Sequence, residues 1–381
     1  MVSFQLLSSG KSLKARGIRH ELPQGPISTL MSRVSAFDSW TVGGPDLLVG
    51  ALPFDREAND YLFQPMAVET EEKSKIASAR SNYAHGGAWI VTQEPSQAHY
   101  ADAVSRVLEA IAAKGDADEL RKVVLSRSLS VKADMPVDGD ALLRRLSADG
   151  SITAFQTPLP HQGSEQPVLI GATPELLISR TGDRIVSHPL AGSSRRYSDR
   201  SADRRSARAL EDSNKDRREH NAVVEAVSDT LAPYCRELAA PDGTTLRSTA
   251  TMWHLGTRLV GRLKDPETPV TELAAALHPT PAVCGLPRKA AARLIGELEG
   301  YDRGFYAGAV GWTDSRGDGE WYVTLRCAQF SGSQIRLYAG AGIVTGSDPL
   351  AEVDETSAKF LAILNALGVD EQGRQLKEQA A

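Results

Sequence analysis

Apolar residues at helical spacing mark several helices along the chain. The first runs through "YADAVSRVLEAIAAKG", with Gly115 as its stop signal. A second is expected in "GDALLRRLSA", a third from about Asp216 into "HNAVVEAVSDTL", and the last from about Pro349. The apolar stripes of the first, third and last are Val104, Leu108 and Ile111; Val223, Val227 and Leu231; and Leu361, Leu364 and Leu367.

Strict alternation of apolar and polar residues marks strands. In "RKVVLSRSLSV" one face is apolar, and the other carries Lys122 among serines. The segment "PVLIGATPELLISRTGDRIVSHPLAG" predicts strand, turn, strand, tight turn and strand, with Gly182-Asp183 as the hairpin signal. Residues 195 to 220 are a run of charges that comes before the third helix.

A meander of three strands is predicted near the C-terminus, in "YAGAVGWTDSRGDGEWYVTLRCAQFSGSQIRLYAGAGIV". Its middle strand places Tyr322, Thr324 and Arg326 on one face. Meanders mixed with helices indicate the α+β class, with extended, mainly antiparallel sheets backed by helices in a single large domain. Residues 1–112 are expected to be the N-terminal part of that domain, 113–370 its catalytic region, and 371–381 a disordered tail.

Composition and charge exclude some functions. The 381 residues carry a net charge of -5, which argues against a dedicated nucleic-acid binder, and the arginines of "RRYSDRSADRRSAR" are interleaved with acids. We find no apolar run long enough for a signal peptide or a membrane span. Three widely separated cysteines form no zinc-ligand spacing and indicate a reduced protein. We therefore expect a cytoplasmic protein, and a monomer.

An acidic cluster follows the glycine-rich "AGAGIV", in "GSDPLAEVDETSAK". Glu352 and Glu355 share a helix face, Asp354 lies off it, and Lys359 follows Glu355 by four residues. Acidic residues are common in a first helical turn, because the helix dipole favours them there. The alternative is a magnesium site, since Mg²⁺ binds through one or two carboxylates together with water and substrate oxygens.

Four other side chains each have a structural and a catalytic interpretation. Lys122 is either solvent-facing or a buried general base kept neutral by desolvation and neighbouring cations. Glu175, in "GATPELL", is an exposed turn residue or an acid that protonates a leaving group. Glu219 is ion-pair decoration near a helix start or part of a site. His254, in "MWHLGTRL", is a lone histidine, which is more often structural than catalytic.

Arg326 is the strongest candidate for binding a carboxylate. An arginine on a central strand needs an anionic partner, and its planar fork suits bidentate pairing. Tyr306 could add a hydroxyl group.

Taken together, the motifs resemble the chorismate-utilising enzymes. They occur in order from about residue 115 to 367: "KVVLSR", "GATPELL", "HPLAGS", "DRREHNAVV", "HLGTRLVGRL", "HPTPAVCGLPRKAA", "GFYAGAVGW", "YVTLRCA" and "AGAGIVTGSDPLAEVDETSAK". The resemblance implies the fold of that family, with the active site in a cleft between sheet layers. It also implies Mg²⁺ as cofactor.

The resemblance assigns roles to single residues. It implies that Glu219 and Glu355 are direct ligands of Mg²⁺ and that Glu352 acts directly or through water. Substrate-binding roles fall to Arg326 and Tyr306 for the enolpyruvyl carboxylate, and to Gly192, Ser193, His254, Ala282, Gly340, Gly342 and Lys359 around the ring. The resemblance implies that Gly340 and Gly342 let the backbone approach the substrate.

Three positions discriminate between members of the family. Lys122 stands where members that use water as nucleophile carry their base. Ala191 stands where aminodeoxychorismate synthases carry a lysine. Ala282 resembles isochorismate synthases, since salicylate synthases tend to have threonine there. Two departures are Ser193, which keeps the hydroxyl of the usual threonine, and His188, which replaces a basic residue.

The resemblance therefore implies an isochorismate synthase that converts chorismate reversibly to isochorismate. Lys122 would take a proton from the water that attacks ring carbon 2, and Glu175 would protonate the hydroxyl that leaves ring carbon 4. The alternatives are a salicylate synthase, which goes on to eliminate pyruvate, and a chorismate-binding protein without activity. The product would feed menaquinone or siderophore synthesis.

Overall fold

The computed structural model describes residues 3–37, 43–72, 88–113, 120–163 and 165–376. These residues form 20 strands and eight α-helices. The strands are β1 (Ser3–Leu7), β2 (Lys11–Glu21), β3 (Leu48–Leu52), β4 (Tyr61–Glu72), β5 (Trp89–Glu94), β6 (Lys122–Ala133), β7 (Thr153–Pro158), β8 (Val168–Thr173), β9 (Leu176–Thr181), β10 (Arg184–His188), β11 (Leu190–Arg195), β12 (Cys235–Ala239), β13 (Thr244–Ser248), β14 (Met252–Thr257), β15 (Leu259–Leu263), β16 (Gly285–Leu286), β17 (Ala309–Thr313), β18 (Gly319–Val323), β19 (Cys327–Ser331) and β20 (Gln334–Val344). The helices are α1 (Leu30–Ser35), α2 (Gln97–Ala112), α3 (Gly139–Leu146), α4 (Arg200–Asp212), α5 (Asn214–Leu231), α6 (Val270–Leu277), α7 (Arg288–Leu298) and α8 (Pro349–Leu367).

Two sheets organise the described part of the chain. One has 17 strands, and β11, β14 and β13 form the other. The large sheet runs β5-β6-β20-β19-β8-β7-β1-β2-β4-β3-β17-β18-β9-β10-β15-β12, with β16 also on β6, and its pairs are antiparallel. The N-terminal strands β1 to β5 belong to this sheet. The expected α+β fold of mainly antiparallel sheets backed by helices is confirmed.

Two neighbouring stretches of the large sheet are interrupted at the same level. The strands β8 and β9 are consecutive, as are β18 and β19, and the two stretches pair with each other on both sides of the interruption. Backbone hydrogen bonds link Ala172 to Arg326 (3.1 Å) and Val323 to Glu175 (3.1 Å) across it. Glu175 and Arg326 therefore leave the sheet at adjacent points.

The predicted three-strand meander is wrong in this region. Four strands are present, because the expected middle strand stops at Val323 and a new strand begins at Cys327. Arg326 has a φ of 45°, in the left-handed region that breaks a strand. It is therefore not on a strand face with Tyr322.

The run of charges at 195 to 220 also differs from the prediction. It contains helix α4 and the first turns of α5, which begins at Asn214. Asp199 and Ser213 cap the two helices by accepting backbone hydrogen bonds from Ala202 and Asp216. The sequence of α4 shows no clear apolar period, because only Ala207 and Leu210 of this helix are buried.

The helices pack on the sheets as the apolar stripes predict. Val104 and Ile111 of α2 are buried, with Leu108 packed against the same cluster, and α8 buries Leu364 and Leu367. The stop signal Gly115 lies outside the described residues. The chain turns back after α8, so that Gln375 bridges to Val369, and 377–381 of the expected disordered tail are outside the described residues.

A buried ion pair fixes β6 to the segments beside it. Arg303 and Glu299 are in contact at 2.5 Å, and their side chains are at most 2% exposed. Arg303 donates to the carbonyls of Val124 (2.7 Å) and Val283 (2.8 Å), while Glu299 accepts from the amide (2.6 Å) and hydroxyl (2.9 Å) of Ser126. These bonds tie the strand that begins with Lys122 to the segment that follows Ala282.

None of the helices in the described ranges is both long enough and apolar enough to cross a membrane.

We expect Arg303→Met to lower the free energy of unfolding by about 3–5 kcal/mol, because it leaves the buried Glu299 without its counter-charge. Denaturation in urea measures this. The control is Arg293→Met, which removes one partner of the exposed Arg293–Glu297 pair and should cost less than about 1 kcal/mol. Adding Glu299→Gln to Arg303→Met should restore part of the loss. Equal effects of the two arginine substitutions would contradict this role of the buried pair.

Candidate active site

A cleft lies between strands β6 and β20 of the large sheet and strands β11 and β14 of the small one. Helices α5 and α8 and the two sheet interruptions complete its wall. Its lining residues are Val124, Pro174, Glu175, Leu190, Ala191, Gly192, Ser193, Glu219, His254, Ala282, Val283, Tyr306, Leu325, Arg326, Tyr338, Ala339, Gly340, Gly342, Glu355 and Lys359.

Capped helices bring carboxylates to the cleft from two sides. Ser213 begins α5, which places Glu219 in its second turn. Asp348 begins α8 by accepting hydrogen bonds from the amides of Leu350 and Ala351, and the first two turns of α8 carry Glu352 and Glu355. The local capping signals thus fix how far along each helix its acidic residues lie.

Each of these three carboxylates contacts its own lysine. Glu219 is 2.9 Å from Lys122, Glu352 is 3.0 Å from Lys215, and Glu355 is 2.7 Å from Lys359. Ser193 also donates to Glu355, at 2.8 Å. The partner of Lys122 is therefore a carboxylate, which differs from the neighbouring cation that we expected.

The carboxylates have donor chemistry that fits a magnesium ion. Glu352 is 2% exposed, its Oε2 has no hydrogen-bond partner within the described part of the chain, and burial together with Glu355 raises its pKa to about 7. Burial would also raise the pKa of Glu355, but Lys359 and Ser193 bring it below its usual value. In the described residues no three carboxylates, histidines or cysteines are grouped closely enough to hold a metal. At each of the three glutamates a divalent cation would compete with the lysine that contacts it.

Glu175 is set up to be a protonated acid. Its side chain is buried between β8 and β9, and burial raises its pKa to about 8 although Lys122, Lys359 and Arg326 oppose the shift. The carboxyl group accepts a backbone hydrogen bond from Leu190. At neutral pH it therefore carries the proton that a general acid donates.

Arg326 is held by a neutral histidine instead of an acid. It donates from Nη2 to Nε2 of His254, whose pKa burial lowers well below its usual value. A backbone hydrogen bond to Gly192 fixes the other side of the imidazole. Because the histidine is uncharged, the guanidinium keeps its charge for an anionic ligand, although burial lowers its pKa to about 10.

Two stacked tyrosines form one wall of the cleft. The rings of Tyr306 and Tyr338 are 4.9 Å apart and 7° from parallel. A Cβ on Gly340 would approach the Tyr306 hydroxyl to 2.9 Å, so the glycine makes room for that hydroxyl. Burial raises the pKa of Tyr306, which keeps it a hydrogen-bond donor.

Gly342 and Gly192 also make room for side chains of the site. A Cβ on Gly342 would lie 2.3 Å from Oε1 of Glu219 and 3.0 Å from Cε of Lys122. Gly192 has a φ of 75°, and its Cβ would meet Asp216 at 3.1 Å. Gly340 and Gly342 were expected to let the backbone approach a substrate closely. The structure gives a second reason for glycine at both positions, because a Cβ there would collide with side chains of the site.

Twelve of the fourteen predicted site residues line the cleft. They are Glu175, Gly192, Ser193, Glu219, His254, Ala282, Tyr306, Arg326, Gly340, Gly342, Glu355 and Lys359. Lys122 and Glu352 do not line it: Lys122 reaches it through Glu219, and Glu352 lies beside Glu355. Asp354 is exposed, in agreement with its place off the helix face.

Sequence reasoning missed Lys215, Tyr338 and Val283. Lys215 was hidden in the run of charges, yet it precedes Glu219 by four residues on α5 and so shares its face. Tyr338 is two residues from Gly340 on β20, and the period of two would have placed it in the cleft. Val283 follows Ala282 in a loop and gave no such signal.

Comparisons with known proteins identify the family. A family model described as "Chorismate binding enzyme" matches residues 51–368. The isochorismate synthase DhbC of Bacillus subtilis is 41% identical over 97% of this chain and 94% of that protein, and EntC of Escherichia coli K12 is 41% identical over 85% and 81%. A crystal structure of DhbC from Bacillus anthracis superposes with a TM-score of 0.90 at 40% identity, covering 97% of both chains. The chain belongs to the chorismate-binding enzyme family.

We expect the stability gained by Glu175→Gln to depend on pH. The pKa of Glu175 is about 8 in the folded protein, above its ordinary value of 4.5. The protonated carboxyl group therefore contributes its full amount to the free energy of unfolding below pH 4.5, and this contribution is lost as pH rises towards 8. The variant should therefore gain on the wild type by up to about 1.4 kcal/mol per pH unit between pH 5 and 8. Urea unfolding of both proteins at several pH values measures the difference. A difference that stays constant with pH would show an ordinary pKa.

We expect Gly342→Ala to displace Glu219 with little loss of stability, because the clash is with the end of a flexible side chain. A misplacement of about 1 Å costs about 10²-fold in rate at a catalytic site. Turnover of chorismate and the urea midpoint measure the two effects. Gly296→Ala on α7 is the control, since its Cβ would meet nothing within 4 Å. Full turnover by Gly342→Ala would contradict this role of the glycine.

Proposed function

We propose that this member of the chorismate-binding enzyme family is an isochorismate synthase, an isomerase that interconverts chorismate and isochorismate. The observation that carries the proposal is the buried, protonated Glu175 in a cleft shared with Arg326, next to the Lys122–Glu219 pair. The identities of about 40% to isochorismate synthases over most of both chains support it.

The substrate carboxylates would bind at the cationic side of the cleft. Arg326 pairs with the enolpyruvyl carboxylate, and the hydroxyl of Tyr306 adds a donor. His254 holds the guanidinium in place without neutralising it. The stacked Tyr338 limits rotation of Tyr306, so the donor stays aimed at one position.

The reaction would be a displacement with a shift of double bonds. Water attacks ring carbon 2 and gives its proton to Lys122. Glu175 gives its proton to the hydroxyl that leaves ring carbon 4 as water, so one water enters and one leaves. The two groups act from opposite faces of the ring, and in the reverse direction their roles exchange.

The carboxylates would hold magnesium. Glu219 and Glu355 are the proposed direct ligands, with Glu352 acting directly or through water, and the ion would neutralise and orient the ring carboxylate. Glu219 would hold the ion while it also lies 2.9 Å from the proposed base Lys122, so this carboxylate would connect the metal site to the base.

Ala282 supports the isomerase over a salicylate synthase. It lines the cleft with a single methyl group, where salicylate synthases tend to have threonine. We expect the protein to act as a cytoplasmic monomer. Its product would enter menaquinone or siderophore synthesis, because the names of its relatives refer to one or the other of these two pathways.

The test is product analysis by NMR and chromatography after mixing protein, chorismate and Mg²⁺, with and without an ammonium salt. We expect isochorismate alone, approaching a mixed equilibrium and abolished by a chelator. Lys122→Ala and Glu175→Gln should each reduce the rate by about 10²–10⁴-fold. Salicylate with pyruvate would overturn the isomerase assignment. An aminated product would overturn water as the nucleophile, and unchanged chorismate would support a binding protein.

A further inference from the structure

Lys215 contacts Glu352, a buried carboxylate of the proposed metal site. Its Nζ contacts Oε1 of Glu352 at 3.0 Å, and Oε2 of the same carboxylate is buried and has no hydrogen-bond partner among the residues that the structure describes. Glu355 is on the same helix face, three residues on. A buried carboxylate beside another carboxylate is stable only with a cation next to it. In the protein as described, Lys215 supplies that cation.

We propose that Lys215 is a displaceable counter-cation, which occupies the place of the metal at Glu352 and is exchanged for a divalent cation when one binds. The proposal rests on the proposed function, because it concerns the same three glutamates. In the described residues the three glutamates do not form a group that could hold a metal, and each of them contacts a lysine.

Of the three lysines, Lys215 is the one that can leave at little cost. Lys122 is 2% exposed, and its partner Glu219 is 8% exposed, so its ammonium group would have to leave a buried contact. Lys359 is 20% exposed, and its Nζ also donates to the carbonyl of Gly340 at 2.8 Å. Lys215 is 31% exposed, and among the described residues its side chain has one hydrogen-bond partner, Glu352. A long, partly exposed ammonium group regains water when it swings out.

The exchange has a consequence for metal affinity. A divalent cation that binds at Glu352 must first break the pair with Lys215, so the strength of that pair is subtracted from the binding free energy. Without Lys215, Glu352 has no lysine in contact with it, whereas Glu355 keeps its contact with Lys359. Removal of Lys215 should therefore tighten the binding of Mg²⁺. The expected gain is about two- to fivefold, the worth of a partly exposed ion pair.

The experiment is titration of the full chain with Mg²⁺ alone, without chorismate, followed by isothermal calorimetry and by the shift of the melting temperature. The variants are Lys215→Met, which removes the ammonium group, and Lys215→Gln, which keeps a hydrogen-bond donor if the first variant does not fold. The matched control is Arg218→Met, an exposed residue of the same helix that removes the same charge. We expect tighter Mg²⁺ binding by a Lys215 variant and a change of less than twofold in the control.

Each outcome separates this proposal from the proposed function. Equal or weaker binding by the Lys215 variants would overturn displacement, and weaker binding would mean that the lysine helps to build the site. An equal gain in Arg218→Met would reduce the effect to net charge and would also overturn it. If the wild type binds no Mg²⁺ while isochorismate still forms, the metal site fails and the isomerase assignment stands.

Discussion

The structure depends on how it neutralises carboxylates that are taken out of water. Charged groups inside a protein must be paired, because desolvation otherwise outweighs what folding gains. The cleft meets this requirement with three separate lysine–glutamate contacts. The same requirement is met behind the cleft by Glu299 and Arg303, which hold Ser126 and the carbonyl of Val283 in place.

The groups of the cleft differ in whether a charged partner contacts them, and this difference determines the chemistry of each group. Glu175 has no ion-pair partner among the described residues, and burial raises its pKa to about 8, so it is protonated at neutral pH. Arg326 has a neutral histidine as its partner, so its charge remains available to a ligand. The break in the sheet places both beside each other, since the same interruption releases Glu175 from one pair of strands and Arg326 from the other. An acid and an anion-binding group thus face one cleft without neutralising each other.

Sequence patterns were most reliable where they depend on local geometry. The helical spacing placed Glu352 and Glu355 on one face and excluded Asp354, as the structure has it. They failed where the backbone leaves its regular period. Arg326 was assigned to a strand because its neighbours alternate, but a left-handed residue ends the strand there, and no residue-type signal marks that break. Lys215 was lost for a different reason, because charged neighbours conceal which charge faces inward.

By itself, the sequence determined the class of fold, the family resemblance and twelve of the residues that line the cleft, because these follow from short-range periods and ordered motifs. Only the tertiary structure decided which charge pairs with which. Lys122 and Glu219 are 97 positions apart in number but 2.9 Å apart in space. Pairing at that separation depends on how α5 packs against β20, the strand that pairs with β6, and on the missing Cβ at Gly342. No local pattern contains that information.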